Sequence, residues 1–253
     1  MIARRAEELA PFMVMEVLER AREMERQGED IIHLEVGEPD FDAPSAVKRA
    51  TCLALEEGAT HYTHSLGDME LREAISNHYL DAYGVEVRPE QVVVTSGTSP
   101  AMMLAFASLL ERGEEVIVSD PAYACYPNFI NFLGGVPSRV PVYEQDGFQY
   151  RVPAIEERIN QKTKAILINS PSNPTGCLIS EMDMKAIAGL SPYIISDEIY
   201  HGLVYEGQEH SILEFTDRAF VLNGFSKLYA MTGYRLGYLI APPQFIRPIQ
   251  KMQ

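Results

Sequence analysis

The chain has 253 residues and a net charge of −15, from 36 acidic and 21 basic side chains. This excess of negative charge argues against non-specific binding to nucleic acid or to an anionic membrane. A hydrophobic content of 46% is ordinary for a globular protein, so the length predicts one large domain or two small ones.

The three cysteines, Cys52, Cys125 and Cys177, form no CxxC pair, so neither a disulfide framework nor a zinc site is predicted. His61 and His64 are three residues apart but lack further ligands, so no metal is expected there. The first residues lack the apolar segment of a secretory signal, and no apolar run approaches the ~18 residues of a membrane span. We therefore expect a cytoplasmic protein.

The first third of the chain predicts helices separated by polar loops. Apolar residues at helical spacing indicate helices over residues 11–27, 45–57 and 68–83. Residues 31–36 form a short extended run that leads into the turn-rich segment Gly37-Glu38-Pro39-Asp40-Phe41. Residues 61–66 are polar and aromatic and predict a loop.

The pattern changes after residue 91, where short runs alternate with helical or loop segments. The runs are β-branched or apolar almost throughout, and they cover residues 92–95, 116–119, 165–169, 193–196, 219–222 and 236–241. Such runs are typical of strands covered on both faces of a sheet. An apolar helix is predicted over residues 100–110, and the start of another helix over residues 244–253. The sequence therefore predicts an α/β fold, a three-layer α/β/α arrangement with a mainly parallel sheet.

Polar side chains follow several of these predicted strands within a few residues. They are Ser96, Tyr123, Asn173, Asp197 with Tyr200, and Lys227. In an open parallel sheet, ligands bind beyond the carboxyl ends of the strands. We therefore expect these side chains to face one crevice.

Lys227 and Asp197 are the chemically informative members of this set. Lys227 comes shortly after a buried strand, where desolvation would favour the neutral amine that attacks a carbonyl. A solvated surface lysine is the alternative. Asp197 ends another buried strand and needs a partner, for which a cationic ring nitrogen is one candidate and a cap of the next turn is another.

The segment Ser96-Gly97-Thr98-Ser99 lies between a predicted strand and a helix, where hydroxyls and backbone N–H groups could hold a phosphate. A plain helix cap is the alternative. The segment lacks the Walker lysine, so it does not indicate a nucleotide. Arg235 could bind a phosphate bidentately or lie on the surface. Asn173 lies in a proline-rich turn and could donate a hydrogen bond from its amide.

Three longer motifs occur in order along the chain. They are Asn-Pro-Thr-Gly at 173–176, Ser-Asp-Glu-Ile-Tyr at 196–200, and Gly-Phe-Ser-Lys…Met-Thr-Gly-Tyr-Arg-Leu-Gly at 224–237. Together with the segments at 37–41, 62–67, 71–75 and 96–98, they cover nearly the whole chain. In these motifs the sequence resembles the class I/II aminotransferases, fold-type-I enzymes that use pyridoxal 5′-phosphate (PLP).

The resemblance implies a role for each candidate residue. Lys227 would form the Schiff base with the cofactor and then move the Cα proton of the substrate. Asp197 would keep the pyridine nitrogen protonated, while Tyr200 and Asn173 would hydrogen-bond the ring hydroxyl oxygen. Lys227, Asp197 and Tyr200 are thus the implied catalytic residues.

The other candidates would hold the cofactor or border the substrate. Tyr123 would stack on the ring, and the implied phosphate ligands are Ser96, Gly97, Thr98, Ser226 and Arg235. Tyr62 would reach the phosphate of a neighbouring subunit, which implies a homodimer. Gly37 and Asn173 would line the substrate side.

Two departures from the family pattern are visible. Many relatives carry a serine three residues before the lysine, where this chain has Gly224, and Ser226 would take over part of that role. The family also continues into a small C-terminal domain with an arginine that binds the substrate carboxylate. We therefore expect an N-terminal arm (1–45) and a large PLP-binding domain (46–253), with the small domain absent and this chain inactive by itself.

The resemblance implies an aminotransferase that passes an amino group from an α-amino acid to a 2-oxo acid by a ping-pong mechanism. A β-C–S lyase or another PLP enzyme on the same fold is one alternative, because it shares the cofactor residues. A truncated, non-catalytic PLP-binding or dimerisation module is an alternative of another class.

Overall fold

Strands and helices alternate from residue 92 onwards in the computed structural model, which describes residues 2–7 and 9–253. The helices are α1 (Arg4–Glu7), α2 (Met13–Arg26), α3 (Ser45–Glu56), α4 (Met69–Tyr83), α5 (Thr98–Leu109), α6 (Cys125–Phe132), α7 (Val152–Glu156), α8 (Glu181–Ala188) and α9 (Pro243–Met252). The strands are β1 (Val92–Thr95), β2 (Glu115–Asp120), β3 (Val136–Pro141), β4 (Thr163–Asn169), β5 (Tyr193–Asp197), β6 (Ala219–Gly224) and β7 (Gly237–Ile240).

The described strands form one sheet in the order β1-β7-β6-β5-β4-β2-β3. Strands β6, β5, β4, β2 and β3 pair in parallel along this order. Strand β7 is antiparallel to both of its neighbours, so β1 runs in the same direction as β6. The mainly parallel sheet predicted from the apolar runs is confirmed, with one strand reversed inside it.

Each face of the sheet is covered by helices, because alternate strand residues point to opposite faces. In β4, Ile166 and Ile168 belong to one buried cluster, and Ala165 and Leu167 belong to the other. The first cluster includes residues of α4, α7 and α8, namely Ile75, Tyr79, Ile155, Met184 and Ile187. The second includes residues of α5, α6 and α9, namely Met102, Phe106, Tyr126, Ile130 and Ile249. The three-layer α/β/α prediction is confirmed.

Strand β3 was not predicted, because its sequence lacks a continuous apolar run. It contains Pro137 and Pro141, with Ser138 and Arg139 between them. The strand lies at the edge of the sheet and pairs only with β2, where a residue without an N–H group is tolerated.

The extended run predicted over residues 31–36 does not join the sheet. These residues form no strand, and Ile32 and Leu34 are 85% and 89% exposed. The division into an arm over residues 1–45 and a domain over 46–253 stays a prediction. No helix among the described residues is long and apolar enough to cross a membrane.

Candidate functional site

The predicted site residues come together at one edge of the sheet. Strands β1, β2, β4, β5 and β6 share a direction, so their carboxyl ends lie at the same edge. The residues that follow these ends are Ser96 to Thr98, Tyr123, Asn173, Asp197 with Tyr200, and Ser226 with Lys227. Because β7 is reversed, its first residue is also at this edge, and Arg235 precedes it by two residues. The reversal therefore brings Arg235 to the other candidates.

Lys227 is half-buried at this edge. Its Nζ donates a hydrogen bond to the carbonyl oxygen of Gly37 and lies 5.9 Å from the centre of the Tyr200 ring. Burial lowers the pKa of Lys227, the charge of Glu38 opposes this shift, and the charge of Arg235 adds to it. The desolvation expected from the sequence is therefore present.

Asp197 is 5% exposed and lies at the last position of β5. One carboxylate oxygen accepts a hydrogen bond of 2.8 Å from the Tyr126 hydroxyl, and the other accepts one of 3.3 Å from the Ile199 N–H. Burial raises the pKa of Asp197 to about 6, although both hydrogen bonds act in the opposite direction. No basic side chain among the described residues forms an ion pair with Asp197, so a cationic ligand would be its first charged partner.

A chain of hydrogen bonds connects the ends of β4 and β5. The Asn169 side chain donates to the Asp197 carbonyl at 2.8 Å and accepts from the Asn173 N–H at 2.7 Å. The Asn173 amide then donates to the Tyr200 hydroxyl at 3.3 Å. Burial raises the pKa of Tyr200, and the hydrogen bond from Asn173 partly offsets this. Asn173, Asp197 and Tyr200 are thus held in one connected group.

Gly97 and Arg235 face each other where helix α5 begins. Gly97 has a φ of 93°, and a Cβ on it would lie 2.6 Å from Nη2 of Arg235. Arg235 is held in turn by a hydrogen bond of 2.8 Å from its Nη1 to the Thr232 carbonyl. The first turn of α5 contains no acidic residue, so its free N–H groups and the guanidinium form a positive corner. Within it, Thr98 is half-buried and Ser96 is exposed.

Tyr123 lies beside the Asp197 group. Its ring makes edge contacts with Tyr126 at 5.3 Å and with Phe12 at 5.8 Å between centroids. Burial raises the pKa of Tyr123. Tyr126 therefore touches both Tyr123 and Asp197.

Two candidates make no hydrogen bond to the other members of this group. Tyr62 is fully exposed and makes no hydrogen bond within the described part of the chain. Ser226 is half-buried beside Lys227, and its hydroxyl likewise has no hydrogen bond to a described residue. The departure at Gly224 has a steric reason, since a Cβ there would lie 2.8 Å from the Cα of Gly237 in β7.

Two residues of the site region were missed by sequence reasoning. Tyr126 lies in the mostly apolar helix α6, where an aromatic residue indicates simple core packing. Glu198 follows Asp197 directly and is 1% exposed, and burial raises its pKa to about 7. The spacing of three residues between Tyr123 and Tyr126 was the available signal for the first. The sequence offers none for Glu198, because its donors Tyr79, Ser211 and Ile212 are distant along the chain.

Comparisons with known proteins agree with this geometry. The family model described as aminotransferase class I and II matches residues 29–253. The chain is 43% identical to (5-formylfuran-3-yl)methyl phosphate transaminase of Methanocaldococcus jannaschii, covering 100% of this chain and 67% of that protein. It is 41% identical to aspartate aminotransferase of Pyrococcus horikoshii, covering 94% of this chain and 62% of that protein.

Solved structures give the same result. Aspartate aminotransferase from Thermus thermophilus with maleate superimposes with a TM-score of 0.97 and 36% identity, over 100% of this chain and 67% of that one. An aminotransferase from Mycobacterium tuberculosis gives a TM-score of 0.94 at 36% identity, over 100% and 66%. The chain thus spans about two thirds of the length of these relatives. It belongs to the class I and II aminotransferases, a family of PLP-dependent enzymes.

Proposed function

We propose that this chain forms the cofactor site of an aminotransferase that moves an amino group from an α-amino acid to a 2-oxo acid. The observation that carries the proposal is the placement of Lys227 and Asp197 at one sheet edge. Lys227 is a desolvated lysine, and Asp197 is a buried carboxyl without a cationic partner among the described residues. Few functions other than binding a carbonyl-bearing, cationic ring explain both groups together.

The described residues fit PLP by charge and chemistry. Asp197 is a buried carboxylate with no cationic partner among the described residues, and a protonated ring nitrogen would supply that partner. The positive corner of Gly97, Thr98 and Arg235 suits a phosphate, because backbone N–H groups, a hydroxyl and a guanidinium all donate to anions. Ser96 and Ser226 add hydroxyls at the border of this corner.

When bound, PLP supplies an aldehyde for the amino group and a ring that withdraws electrons from the substrate Cα. Lys227 then takes the Cα proton and returns it, which requires the neutral amine that its lowered pKa favours. Asp197 keeps a proton on the ring nitrogen. Burial strengthens this pairing, because little water competes for the carboxylate.

The remaining candidates orient the ring and border the substrate. Tyr200 and Asn173, already joined by a hydrogen bond, would donate to the ring hydroxyl oxygen. Tyr123 would lie against the ring and exclude water from it. Gly37 borders the substrate, since its carbonyl contacts the Lys227 amine.

The substrate class follows from the relatives rather than from any single contact. They are named for aspartate, for aspartate or prephenate, and for a furan phosphate, and all are transaminases. These names support amino transfer over the β-C–S lyase alternative. The non-catalytic alternative is disfavoured because a structural role alone does not require Lys227, Asp197 and Arg235 together.

We further propose a homodimer in the cytoplasm. Tyr62 is fully exposed, and Ile32, Leu34 and Phe41 expose apolar side chains in the same N-terminal part of the chain. Such a surface suits a second copy, with Tyr62 reaching its site. The three cysteines are free thiols, which fits a reducing compartment.

The test uses the full-length protein purified with PLP. We expect visible absorption from bound cofactor, which borohydride reduction should fix covalently to Lys227 in a peptide identified by mass spectrometry. Lys227→Ala should abolish both the link and amino transfer to 2-oxoglutarate. Lys185→Ala, at an exposed lysine of α8, is the matched control. A Lys227→Ala protein with unchanged absorption would refute the assignment.

A further inference from the structure

A second buried carboxylate, Glu198, lies directly after Asp197 and takes no part in the chemistry above. The two side chains leave the end of β5 on opposite sides. Asp197 accepts a hydrogen bond from Tyr126, which belongs to one core cluster. Glu198 accepts one from Tyr79, which belongs to the other. Adjacent carboxylates are therefore buried on opposite faces of the sheet.

Four donors converge on the Glu198 carboxylate. Its Oε1 accepts hydrogen bonds from Ser196 Oγ at 3.0 Å, Ser211 Oγ at 3.1 Å and the Ile212 N–H at 3.0 Å. Its Oε2 accepts one from the Tyr79 hydroxyl at 3.4 Å. These donors come from β5, from the turn around Ser211 and from α4, so one side chain ties three parts of the fold together.

The surroundings of Glu198 provide no positive charge to balance it. His201 Nδ1 lies 3.7 Å from Oε2, but burial lowers the pKa of His201 to about 4, so the ring is neutral at pH 7. The Tyr83 hydroxyl lies 2.7 Å from the same nitrogen. No lysine or arginine among the described residues pairs with Glu198. A glutamine would keep one acceptor oxygen for the three bonds to Oε1 but would present an amide N–H group to the Tyr79 hydroxyl, so only an acid accepts the donors on both sides.

The backbone of Glu198 joins the residues proposed to hold the cofactor ring. Its N–H donates to the Leu222 carbonyl of β6 at 2.8 Å, and its carbonyl accepts from the His201 N–H at 3.0 Å. The second bond closes the turn that carries Tyr200. Asp197 precedes Glu198 and Tyr200 follows two residues later, so a shift of Glu198 moves both.

We propose that Glu198 is a positioning residue for the cofactor: its carboxylate anchors the turn of residues 197–202 from the opposite side of the sheet and fixes Asp197 and Tyr200 against the ring. The inference rests on the proposed function and deepens it. Burial raises the pKa of Asp197, and the charge of Glu198, where that group is ionised, shifts it in the same direction.

The test compares variants of the full-length protein. Glu198→Gln keeps the size and one acceptor oxygen but removes the charge, while Ser211→Ala removes a single donor. Ile155→Val is the matched control, because Ile155 is fully buried in the same core cluster but lies in α7, outside the hydrogen bonds of Glu198. PLP affinity is measured by titrating the cofactor-free protein and following visible absorption. Melting temperature, kcat and KM are measured in parallel.

We expect Glu198→Gln to weaken PLP binding about ten- to a hundredfold, the range typical of residues that orient the ligands of a bound group. The value of kcat should fall while KM for the amino donor changes little, because the substrate contacts are untouched. Ser211→Ala should act in the same direction with a smaller effect. Ile155→Val should lower the melting temperature without changing PLP affinity.

Unchanged PLP affinity and kcat in Glu198→Gln would overturn the proposal, whether or not the variant has a lower melting temperature. If Glu198→Gln does not fold, unchanged PLP affinity in Ser211→Ala overturns it instead. Wild-type protein that takes up no PLP would overturn the proposed function itself, which separates that failure from failure of the role of Glu198.

Discussion

Lys227 and Asp197 are both shifted toward their neutral forms by burial, one as a base and the other as an acid. The pKa of Lys227 is lowered and that of Asp197 is raised to about 6. Neither side chain forms an ion pair within the described residues. A ligand with a carbonyl near the Lys227 amine and a cation near the Asp197 carboxylate would offset the desolvation of both side chains. Such perturbed groups are typical of binding sites.

The cost of burying Asp197 can be measured as a pH dependence. A carboxyl whose pKa is raised by folding binds its proton more tightly in the folded state, so it destabilises the fold above that pKa. Below the pKa that Asp197 has in the unfolded chain, about 4, this destabilisation is absent. We expect Asp197→Asn to raise the free energy of unfolding of the cofactor-free protein near pH 7.5 by about 1–3 kcal/mol, at roughly 1.4 kcal/mol per pKa unit.

This gain should shrink as the pH falls from about 7 toward about 4, the window set by the raised pKa of Asp197. Denaturant unfolding of the variant and the wild type at several pH values measures the difference. The titration of His201 is common to both proteins and largely cancels. A variant that is less stable at neutral pH, or a gain that grows on acidification, would contradict the prediction.

Tyr126 offers a second test at the residue scale, since its hydroxyl is 2.8 Å from Asp197 and its ring supports Tyr123. Tyr126→Phe removes the hydroxyl and keeps the ring. A hydrogen bond to a charged group contributes about 1.5–3 kcal/mol, so we expect PLP affinity to fall about tenfold or more. Tyr193→Phe is the control, because that hydroxyl bonds Gln244 at the opposite end of β5. Equal PLP affinity in the two variants would argue against a role for Tyr126.

At the scale of elements, most of the prediction came from the ends of the strands. The apolar runs before Ser96, Asn173, Asp197 and Lys227 were sufficient to predict four strands and the common edge, because parallel strands covered on both faces have a distinctive composition. The direction of β7 is not encoded in such a run. The position of Arg235 at the shared edge therefore became clear only from the sheet topology.

Other features depend on contacts between distant parts of the chain and could not be predicted. Strand β3 has proline and polar residues that are acceptable only because it lies at an edge. The partner of Glu198 on α4, Tyr79, is 119 residues away in the sequence. A charged residue next to Asp197 predicts a solvated side chain unless those distant donors are known.

The junction of β1 and α5 gives a prediction at the element scale. Gly97 and Gly113 both have positive φ, but a Cβ on Gly97 meets the Arg235 guanidinium whereas one on Gly113 meets nothing within 4 Å. Alanine should cost about 1–2 kcal/mol of stability from backbone strain at Gly113 and about 1–3 kcal/mol at Gly97, whose φ of 93° and ψ of 177° are adopted almost only by glycine. Only Gly97→Ala should also displace Arg235.

We therefore expect Gly97→Ala to weaken binding of PLP by about tenfold, the equivalent of one lost charge-assisted contact. Gly113→Ala should leave binding unchanged. Titration of both cofactor-free proteins with PLP, together with their melting temperatures, separates strain from displacement. Equal PLP affinities would show that Arg235 tolerates the shift or does not hold the phosphate.

At the scale of the whole molecule, the chain spans about two thirds of the length of its relatives. The cofactor candidates all lie within this span, whereas the family resemblance implies a substrate-carboxylate arginine in another part of the protein. Cofactor binding and substrate binding should therefore be separable.

We expect the 253-residue chain, expressed by itself, to bind PLP but to transaminate at least about a hundredfold more slowly than a full-length homologue. A substrate that is poorly oriented against the reacting groups reacts more slowly by about this factor. Aspartate with 2-oxoglutarate provides the assay, and PLP content by absorbance provides the control for folding. Comparable turnover would show that residues within the chain already hold the substrate carboxylate.

The two edges of the sheet have a consequence for how copies of the chain can meet. At one edge, Pro137 and Pro141 of β3 have no N–H groups to offer. At the other, the outward N–H of Val94 in β1 is bonded to the Leu66 carbonyl, and its carbonyl accepts from the Gln253 side chain. Both edges therefore offer fewer free backbone groups than a plain edge strand, which disfavours growth of the sheet by addition of a further strand. Association of a second copy through side chains is favoured instead, and single substitutions at the surface would then change the geometry of such a dimer.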